Sequence, residues 1–236
     1  MTILRSDLEG MVKEGVVSDI FRAERAISLV KFSGLRAAQI NNGSGGFGLL
    51  FGAIQISLNT EALLALARIY DKPSHTYPTR CLRGVLSFLA TRGSELPSIR
   101  EPYQLEICLR AMYAPPELVL TVRQQPADFA PKFAAFVEEI LGRSKMVEAL
   151  QKLKTLRDKR LAHNDNEQVA AAEGPTWVAL SELLELAKHA VGVLGWAYFS
   201  TAYTVNGEYI LTEDALRPAI GLNRLLDQLY GSVPTA

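Results

Sequence analysis

The sequence has few cysteines and no excess of charge of either sign. Its two cysteines, Cys81 and Cys108, are too few for a disulfide framework, and neither lies in a Cys-x-x-Cys motif, which suits a reducing compartment. Lysine and arginine together number 25, as do aspartate and glutamate, among 236 residues. The formal net charge of zero excludes a global attraction to nucleic acid or to an anionic membrane. Any site for a polyanion must therefore be a local patch.

Neither end of the chain has the apolar segment of a signal peptide or of a membrane span. Residues 1–10, "MTILRSDLEG", lack the apolar core of a signal peptide. The longest apolar run near the C-terminus, "AVGVLGWAYF" (190–199), has about half the length that a membrane span requires. We therefore expect a cytoplasmic protein that has no membrane partner.

The sequence contains no internal repeat and little strand-like alternation, but helical periodicity is present almost throughout. Apolar residues recur at three- and four-residue steps, which is the spacing of an amphipathic helix. This spacing predicts helices at about 16–31, 49–70, 79–92, 129–161, 176–203 and 212–229. Thr79 and Asp128 are the expected N-caps of two of them, and "TVNGEY" (204–209) is expected to form a turn or a very short hairpin. The predicted fold is all-α.

The glycine-rich stretch "NNGSGGFG" (41–48) interrupts the helical pattern and is predicted to be a loop. It separates an N-terminal helix and loop, residues 1–44, from a helical bundle over residues 45–236, within what we expect to be one continuous domain. A phosphate-loop interpretation of "GSGGFG" lacks the following Gly-Lys-Ser/Thr and a preceding strand, so a flexible hinge is favoured.

Charge is sharply segregated around the stretch "RDKRLAHND" (157–165). Residues 143–163 carry seven cations and two anions, a net charge of +5, whereas residues 164–190 carry five acids and one lysine, a net charge of −4. One interpretation is structural, because cations stabilise a helix C-terminus and the following acids could pair with them. The other is that the stretch handles phosphate.

The residue types in this stretch suit phosphodiester cleavage by the 2′-hydroxyl of a ribose. Arg157 offers a bidentate donor fork for phosphate, and His163 can take or give a proton near neutral pH. Lys154, Lys159 and Arg160 are the expected contacts to RNA phosphates. On an ideal helix Arg157 and His163 lie about 120° apart, so they converge only if the helix frays or if a second subunit supplies partners.

The string "RDKRLAHND" resembles the R-x(4–6)-H signature of the HEPN superfamily, the nucleotide-binding domains of higher eukaryotes and prokaryotes. The wider chain is similar to the abortive-infection-U (AbiU-type) branch, because "LALARIYD" (64–71) precedes a leucine-rich helix and a long helix ends in "LRDKRLAHND". The resemblance covers roughly residues 45–205 as an order of elements.

This resemblance implies a HEPN-like four-helix bundle core with additional N-terminal and peripheral helices. For active members it implies a metal-independent endoribonuclease, which needs no cofactor, in phage defence or a toxin–antitoxin system. The carried-over motif residues are Arg157 and His163, with Asp158 as the polar residue after the arginine and Asn164 and Asp165 as the branch's usual ending. The expected partners are a second copy of the chain, an RNA substrate and a cognate antitoxin protein. Two alternatives stay open: a non-catalytic HEPN module that binds a partner protein or nucleotide, and a plain helical scaffold.

Other candidate residues carry weaker signals. Asp71 and His75 in "YDKPSH" lack further metal ligands at any known spacing, so a proline-rich turn is favoured there. His189 is expected to be packed or partly exposed, and Ser44 and Ser57 have no evident base. Three aromatic side chains at helical positions are expected to pack, with base stacking as the alternative, namely Trp177, Trp196 and Tyr198.

Overall fold

The computed structural model of the chain describes residues 3–43, 45–73, 79–158 and 174–231. Most of these residues are helical, and within those ranges the sheet is one antiparallel hairpin of β1 (Thr204–Val205) and β2 (Glu208–Tyr209). The predicted all-α fold is confirmed, and so is the short hairpin at residues 204–209.

The helices follow the predicted order along the chain. The N-terminal part contains α1 (Ile3–Gly10), a π-helical segment (Met11–Val17), α2 (Ser18–Leu35), α3 (Ala37–Asn42) and α4 (Gly48–Ile69). The middle contains α5 (Leu82–Arg92), α6 (Pro102–Ala111), α7 (Pro116–Gln124), α8 (Phe129–Leu141) and α9 (Ser144–Leu156). The C-terminal part contains α10 (Trp177–Leu194), a second π-helical segment (Gly195–Phe199) and α11 (Thr212–Tyr230). Pro102 and Pro116 stand in the first turns of their helices, where a missing backbone N–H costs no hydrogen bond.

The predicted long helix at 129–161 is wrong, because the chain breaks between α8 and α9. Gly142 ends α8, and Arg143 takes an extended conformation, with φ −65° and ψ 139°. Apolar spacing continues across the break, so the periodicity did not reveal it. The residues that mark it are Gly142, which lowers helix propensity, and Ser144, which begins the next helix.

The predicted N-cap Thr79 is wrong, and the predicted N-cap Asp128 is confirmed in position only. Helix α5 begins at Leu82, and the Sγ atom of Cys81, not the hydroxyl of Thr79, accepts a hydrogen bond from the Gly84 amide at 3.3 Å. Asp128 lies directly before the first residue of α8, but its backbone is helical at the end of a 3₁₀ turn, and its side chain makes no capping hydrogen bond. A capping side chain normally stands on a non-helical residue, which explains why Asp128 does not cap.

The described chain divides into two compact units. The larger unit comprises the residues up to Ile20 together with Leu66–Ile210, and the smaller comprises Phe21–Ala65 and the residues from Leu211 onward. The predicted separation of residues 1–44 from 45–236 stays a prediction.

The core of the larger unit forms where α5 packs against α8 and where α10 packs against α6 and α9. Phe129 and Phe133, one turn apart on α8, are fully buried and stack with their ring centroids 5.7 Å apart. Burial of each such large apolar side chain stabilises the fold by roughly 1.5–3 kcal/mol. The other core side chains of this unit include Leu82, Val85, Leu86, Leu89, Leu105, Leu109, Leu183, Ala187, Val191 and Leu194.

The smaller unit is held together by polar contacts to α11. Arg36, which is 4% exposed, pairs with Asp227, donates to the Asn223 side chain at 3.1 Å, and donates to the Gly231 carbonyl at 3.1 Å. The Thr212 hydroxyl donates to Glu24 at 2.9 Å. A buried arginine with several acceptors fixes the C-terminal end of α11 relative to the chain around residue 36.

Within the described residues, α4 is the one helix that is long and apolar enough to cross a membrane by length and composition. Much of its first half is exposed, including Leu49 at 92% and Ile56 at 69%. Most residues of its last two turns are buried, including Ala65, Leu66 and Ile69. One such helix is weak evidence for a membrane span, and the expected cytoplasmic location stays a prediction.

Candidate active site

Helix α9 carries the motif arginine to the edge of the larger unit's core. Ala149, Leu153 and Leu156 are buried on one face of α9, at steps of four and three residues. The helical backbone continues through Arg157 and Asp158. Because Arg157 follows the last buried leucine, its side chain leaves the core at the surface and is 26% exposed.

The guanidinium of Arg157 is held by two carboxylates. Its Nη1 atom lies 2.9 Å from Oδ2 of Asp71, and its Nε atom donates to Oδ1 of Asp158 at 2.8 Å. The hydrogen bond to Asp158, reinforced by Asp71, raises the pKa of Arg157 above its ordinary value. The guanidinium is therefore a fixed positive charge whose donor fork is oriented by its neighbours.

Asp71 is itself held in place from both sides. Its Oδ1 atom accepts a hydrogen bond from the backbone amide of Lys72 at 2.9 Å, which leaves Oδ2 for Arg157. The preceding Tyr70 is buried, and its hydroxyl donates to the Leu183 carbonyl of α10. Burial raises the pKa of Tyr70 well above its ordinary value, so the hydroxyl remains a donor. The end of α4 is thus anchored on α10 and positions Asp71.

A pocket of about 420 Å³ opens beside Arg157. One part of its wall is apolar and comes from α4, α8 and α9. The rest is mostly cationic, with the neutral side chains of Tyr70 and Gln151 and a single carboxylate, that of Asp71. Its apolar lining comprises Ala67, Leu141, Val147, Leu150 and Leu153, and its cationic lining comprises Lys72, Arg83, Lys154 and Arg157. The net charge of the chain is zero, so an anion site requires a local excess of cations. The lining of this pocket provides one.

Some cations of α9 pair in the way that the structural interpretation of the charge pattern predicts. Lys145 pairs with Glu182 of α10 at 2.5 Å, and Lys152 pairs with Glu148 of its own helix at 2.8 Å. Among the residues that the structure describes, Lys154 has no carboxylate partner, and it faces the pocket instead. Among the described acids, pairing across to α10 therefore accounts for Lys145 in the first turn of α9 and not for Lys154 near its end.

Five of the predicted site residues lie outside the described residues. The structure brings together Arg157, Asp158 and Lys154, the last of these in the wall of the same pocket. The remaining predicted positions are Lys159, Arg160, His163, Asn164 and Asp165. Their roles, including that of His163 as the proton-transfer residue, stay predictions.

The sequence did not predict the part of the site that comes from α4 and α5. The sequence suggests Asp71 only as a weak metal-ligand candidate together with His75, which lies outside the described residues, whereas Asp71 is the ion-pair partner of Arg157. Arg83 and Lys72 carried no signal of their own. The one sequence signal for this part of the site is the stretch "LALARIYD". It resembles the family and ends in an aspartate, and an aspartate is a suitable ion-pair partner for the motif arginine.

The aromatic side chains are mostly packed, as expected. Tyr198 is buried, and Nε1 of Trp196 donates to the Thr204 carbonyl at 2.9 Å. Trp177 differs, because it is 47% exposed at the start of α10. His189 is partly buried, as expected, and burial lowers its pKa. Ser57 uses its hydroxyl to donate to the Ala53 carbonyl at 3.1 Å.

In the described part of the chain, no three His, Cys, Asp or Glu side chains are grouped so that they could hold a metal ion. The prediction that the protein needs no metal or cofactor stays a prediction.

Comparison with known proteins identifies the family. The chain matches the AbiU2 family of HEPN domains (HEPN_AbiU2) over residues 6–216. The chain belongs to this AbiU2 family. The matched range includes α4, α5 and α9, and with them Asp71, Arg83 and Arg157. The family agrees with the predicted HEPN-like bundle with additional N-terminal and peripheral helices. No curated protein and no solved structure matches the chain.

Proposed function

We propose that this AbiU2-family protein is a metal-independent endoribonuclease of the HEPN type that acts as a homodimer. The observation that carries the proposal is the Arg157 guanidinium, held by Asp71 and Asp158 at the mouth of a cationic pocket. An oriented guanidinium beside further cations is the arrangement that stabilises negative charge on a phosphate in its transition state.

The proposed reaction is attack by a ribose 2′-hydroxyl on the adjacent phosphorus. A bond forms between the 2′-oxygen and phosphorus, and the bond from phosphorus to the 5′-oxygen breaks. The products are a 2′,3′-cyclic phosphate and a 5′-hydroxyl. The proton of the 2′-hydroxyl passes to a base, and an acid returns a proton to the leaving 5′-oxygen. Arg157 binds the charge that builds on the phosphate oxygens, and His163 serves as the base or the acid.

The dimer follows from the need for two proton-transfer groups. The R-x(5)-H motif of this chain contains one histidine, whereas the reaction uses an acid and a base. A two-fold interface would bring two copies of Arg157 and His163 to one cleft. The Arg157 end of α9 is therefore proposed to face its counterpart in the second subunit.

The nuclease proposal is tested with total RNA in the presence of EDTA. Wild-type protein is expected to cleave RNA under these conditions and to leave cyclic-phosphate ends, and His163→Ala is expected to lose this activity. His189→Gln is a matched control, because it alters a histidine outside the motif. Equal absence of cleavage by wild type and His163→Ala would remove the nuclease proposal.

The composite site is tested by mixing the wild type with an excess of His163→Ala. If both subunits contribute a histidine to one cleft, a mixed dimer lacks one of the two proton-transfer groups. After the two proteins are unfolded and refolded together, cleavage should therefore fall more steeply than the fraction of wild-type chains. A loss only in proportion to that fraction, with dimerisation demonstrated by light scattering, would place the active residues within a single subunit.

A role in phage defence or in a toxin–antitoxin system is part of the same proposal. Production of the wild type in bacteria is expected to slow growth, and production of His163→Ala is not. A protein from a neighbouring reading frame that restores growth would be the proposed antitoxin. Growth that is equally slow with both variants would argue against a nuclease toxin.

One observation favours a second candidate function. The carboxylates of Asp71 and Asp158 compensate the charge of Arg157. This arrangement suits a HEPN module in which Arg157 has a structural role and the protein binds a partner protein or nucleotide without catalysis. RNA or nucleotide binding in the absence of any cleavage, unchanged in His163→Ala, would support this alternative.

A further inference from the structure

The pocket beside Arg157 has two chemically different halves. Part of its lining is apolar and includes Val147 and Leu150 on α9. The charged part of the lining, here called the rim, carries cations from three segments of the chain, with Lys72 after α4, Arg83 on α5 and Lys154 on α9. A ligand that fills this pocket must therefore combine an apolar surface with negative charge.

Within the part of the chain that the structure describes, the rim cations are available to an anion. Arg83 forms only a long ion pair with Glu138, at 3.9 Å between Nη1 and Oε2, which is beyond hydrogen-bond distance. Among the described residues, neither Lys72 nor Lys154 has a carboxylate partner. The Asp71 carboxylate in the rim is occupied by Arg157 and by the Lys72 amide. The rim thus keeps a net positive charge.

A nucleoside phosphate matches both halves. A nucleobase presents flat, weakly polar faces that can lie on aliphatic side chains, and its phosphate suits an arginine fork flanked by lysine. The pocket volume of about 420 Å³ is within the range of small-ligand sites, at roughly 300–1,000 Å³. It therefore has room for one nucleotide.

We propose that this pocket binds one nucleotide of an RNA strand next to the scissile phosphate, with the flanking phosphate on Arg83 and Lys154 and the base on Val147 and Leu150. The inference rests on the proposed function, because Arg157 lines the same pocket and would hold the scissile phosphate. A free mononucleotide has the same chemistry, and the experiment separates the two sources.

The test measures binding of a short, mixed-sequence 2′-O-methyl oligonucleotide, which lacks the attacking hydroxyl, by fluorescence anisotropy at several salt concentrations. Arg83→Gln and Lys154→Gln are each expected to weaken binding about tenfold, equivalent to about 1.4 kcal/mol. Each should also reduce the slope of log affinity against log salt by about 0.7, the effect of one lost phosphate contact on a single strand. Arg92→Gln is the matched control, because Arg92 lies on α5 outside the pocket and contacts Glu95.

The apolar half is tested separately. Val147 is half exposed, so Val147→Gln is expected to fold normally. The substitution should weaken binding of the oligonucleotide without changing the salt slope, because no charge is removed. A change in slope, or affinity equal to that of the wild type, would overturn the placement of the base.

These readouts do not depend on cleavage, so the two proposals can fail separately. If the wild type cleaves no RNA but Arg83→Gln lowers both affinity and salt slope relative to Arg92→Gln, the subsite stands and the nuclease proposal falls. If the wild type cleaves RNA while Arg83→Gln and Lys154→Gln bind like Arg92→Gln, the subsite is overturned. AMP provides the second comparison. If AMP binds the wild type as tightly as the oligonucleotide does, and Arg83→Gln loses affinity for both by the same factor, the assignment to an RNA strand is overturned.

Discussion

Asp71 and Arg157, far apart in the sequence, form an ion pair in which Oδ2 of Asp71 lies 2.9 Å from Nη1 of Arg157. The carboxylate is fixed by the Lys72 amide, and the helix end before it is anchored through Tyr70 on α10. The direction of the guanidinium fork is therefore set by a segment outside the motif. If Arg157 binds the scissile phosphate as proposed, Asp71 is a positioning residue that acts through it.

Asp71→Asn is expected to lower the turnover of RNA. The amide keeps the size of the side chain but removes its charge, so the guanidinium would no longer be held in one direction. Misplacement of a catalytic group by about 1 Å can cost roughly a hundredfold in rate. We expect kcat to fall about tenfold to a hundredfold with a smaller change in KM, measured with a defined RNA substrate.

Two control variants accompany this prediction. Asp71→Glu, which restores a carboxylate, should recover part of kcat. Glu182→Gln removes the carboxylate partner of Lys145 away from the pocket and should leave kcat unchanged. If all three variants lower kcat equally through reduced thermal stability, Asp71 has only a structural role.

The positions of most helices could be predicted from the sequence, because the apolar period is a local property. The helix expected at 49–70 is Gly48–Ile69, and that expected at 212–229 is Thr212–Tyr230. The break at Gly142 was missed because the apolar positions on its two sides happen to stay in register. A conformational change at one or two residues leaves little trace in a periodicity that is averaged over several turns.

Only some of the charged residues that line the pocket could be predicted from the sequence. Arg157 and Lys154 stood out because they belong to a dense local run of cations. Arg83 and Asp71 did not, since their importance comes from the packing of α4 and α5 around the end of α9. Tertiary proximity of this kind is not encoded in spacing, and a family resemblance at "LALARIYD" was the one pointer to it.

Stability is expected to fall in mild acid through His189. Burial, the largest cause, lowers the pKa of His189 below 6.5 in the folded state, against the opposing effect of Glu185 and with a further lowering from Lys188. Above pH 6.5 the imidazole is neutral in both states and contributes nothing. Below it, the unfolded chain takes up a proton that the folded chain resists, so the free energy of unfolding decreases until the folded-state pKa is reached.

The check is the melting temperature of the wild type and of His189→Gln at pH 7.5 and pH 5.5. The glutamine variant should lose less stability between these two pH values, because every other titratable group is common to both proteins. Equal losses would show that another group causes the acid sensitivity.

The two cysteines are expected to be unreactive in the native protein. Cys108 is 4% exposed, its Sγ atom lies 3.2 Å from Oγ1 of Thr204, and burial raises the pKa of its thiol. Cys81 is also buried. Because the thiolate is the reactive species, both should resist Ellman's reagent at neutral pH until the chain is unfolded. Tyr113→Cys, at a position that is 93% exposed, is the positive control and should react at once.

Glycine-to-alanine substitutions at two helical positions are expected to have opposite effects on stability. A Cβ atom at Gly192 in α10 would lie 2.4 Å from Cγ2 and 2.6 Å from Oγ1 of Thr204, a buried, β-branched side chain that cannot move aside easily. A Cβ atom at Gly52 in α4 would meet nothing within 4 Å. Overpacking costs roughly 1–3 kcal/mol, whereas alanine in an open helical position gains roughly 0.5–1 kcal/mol through helix propensity.

We therefore expect Gly192→Ala to lower the melting temperature and Gly52→Ala to raise it, measured by circular dichroism at 222 nm. The combination of Gly192→Ala with Thr204→Ala should recover stability relative to Gly192→Ala alone, because the shorter side chain removes the two closest atoms. If Gly192→Ala is as stable as the wild type, the close approach of α10 to the β1–β2 hairpin is not a tight constraint. If the double variant recovers nothing, the loss arises from the helix itself and not from Thr204.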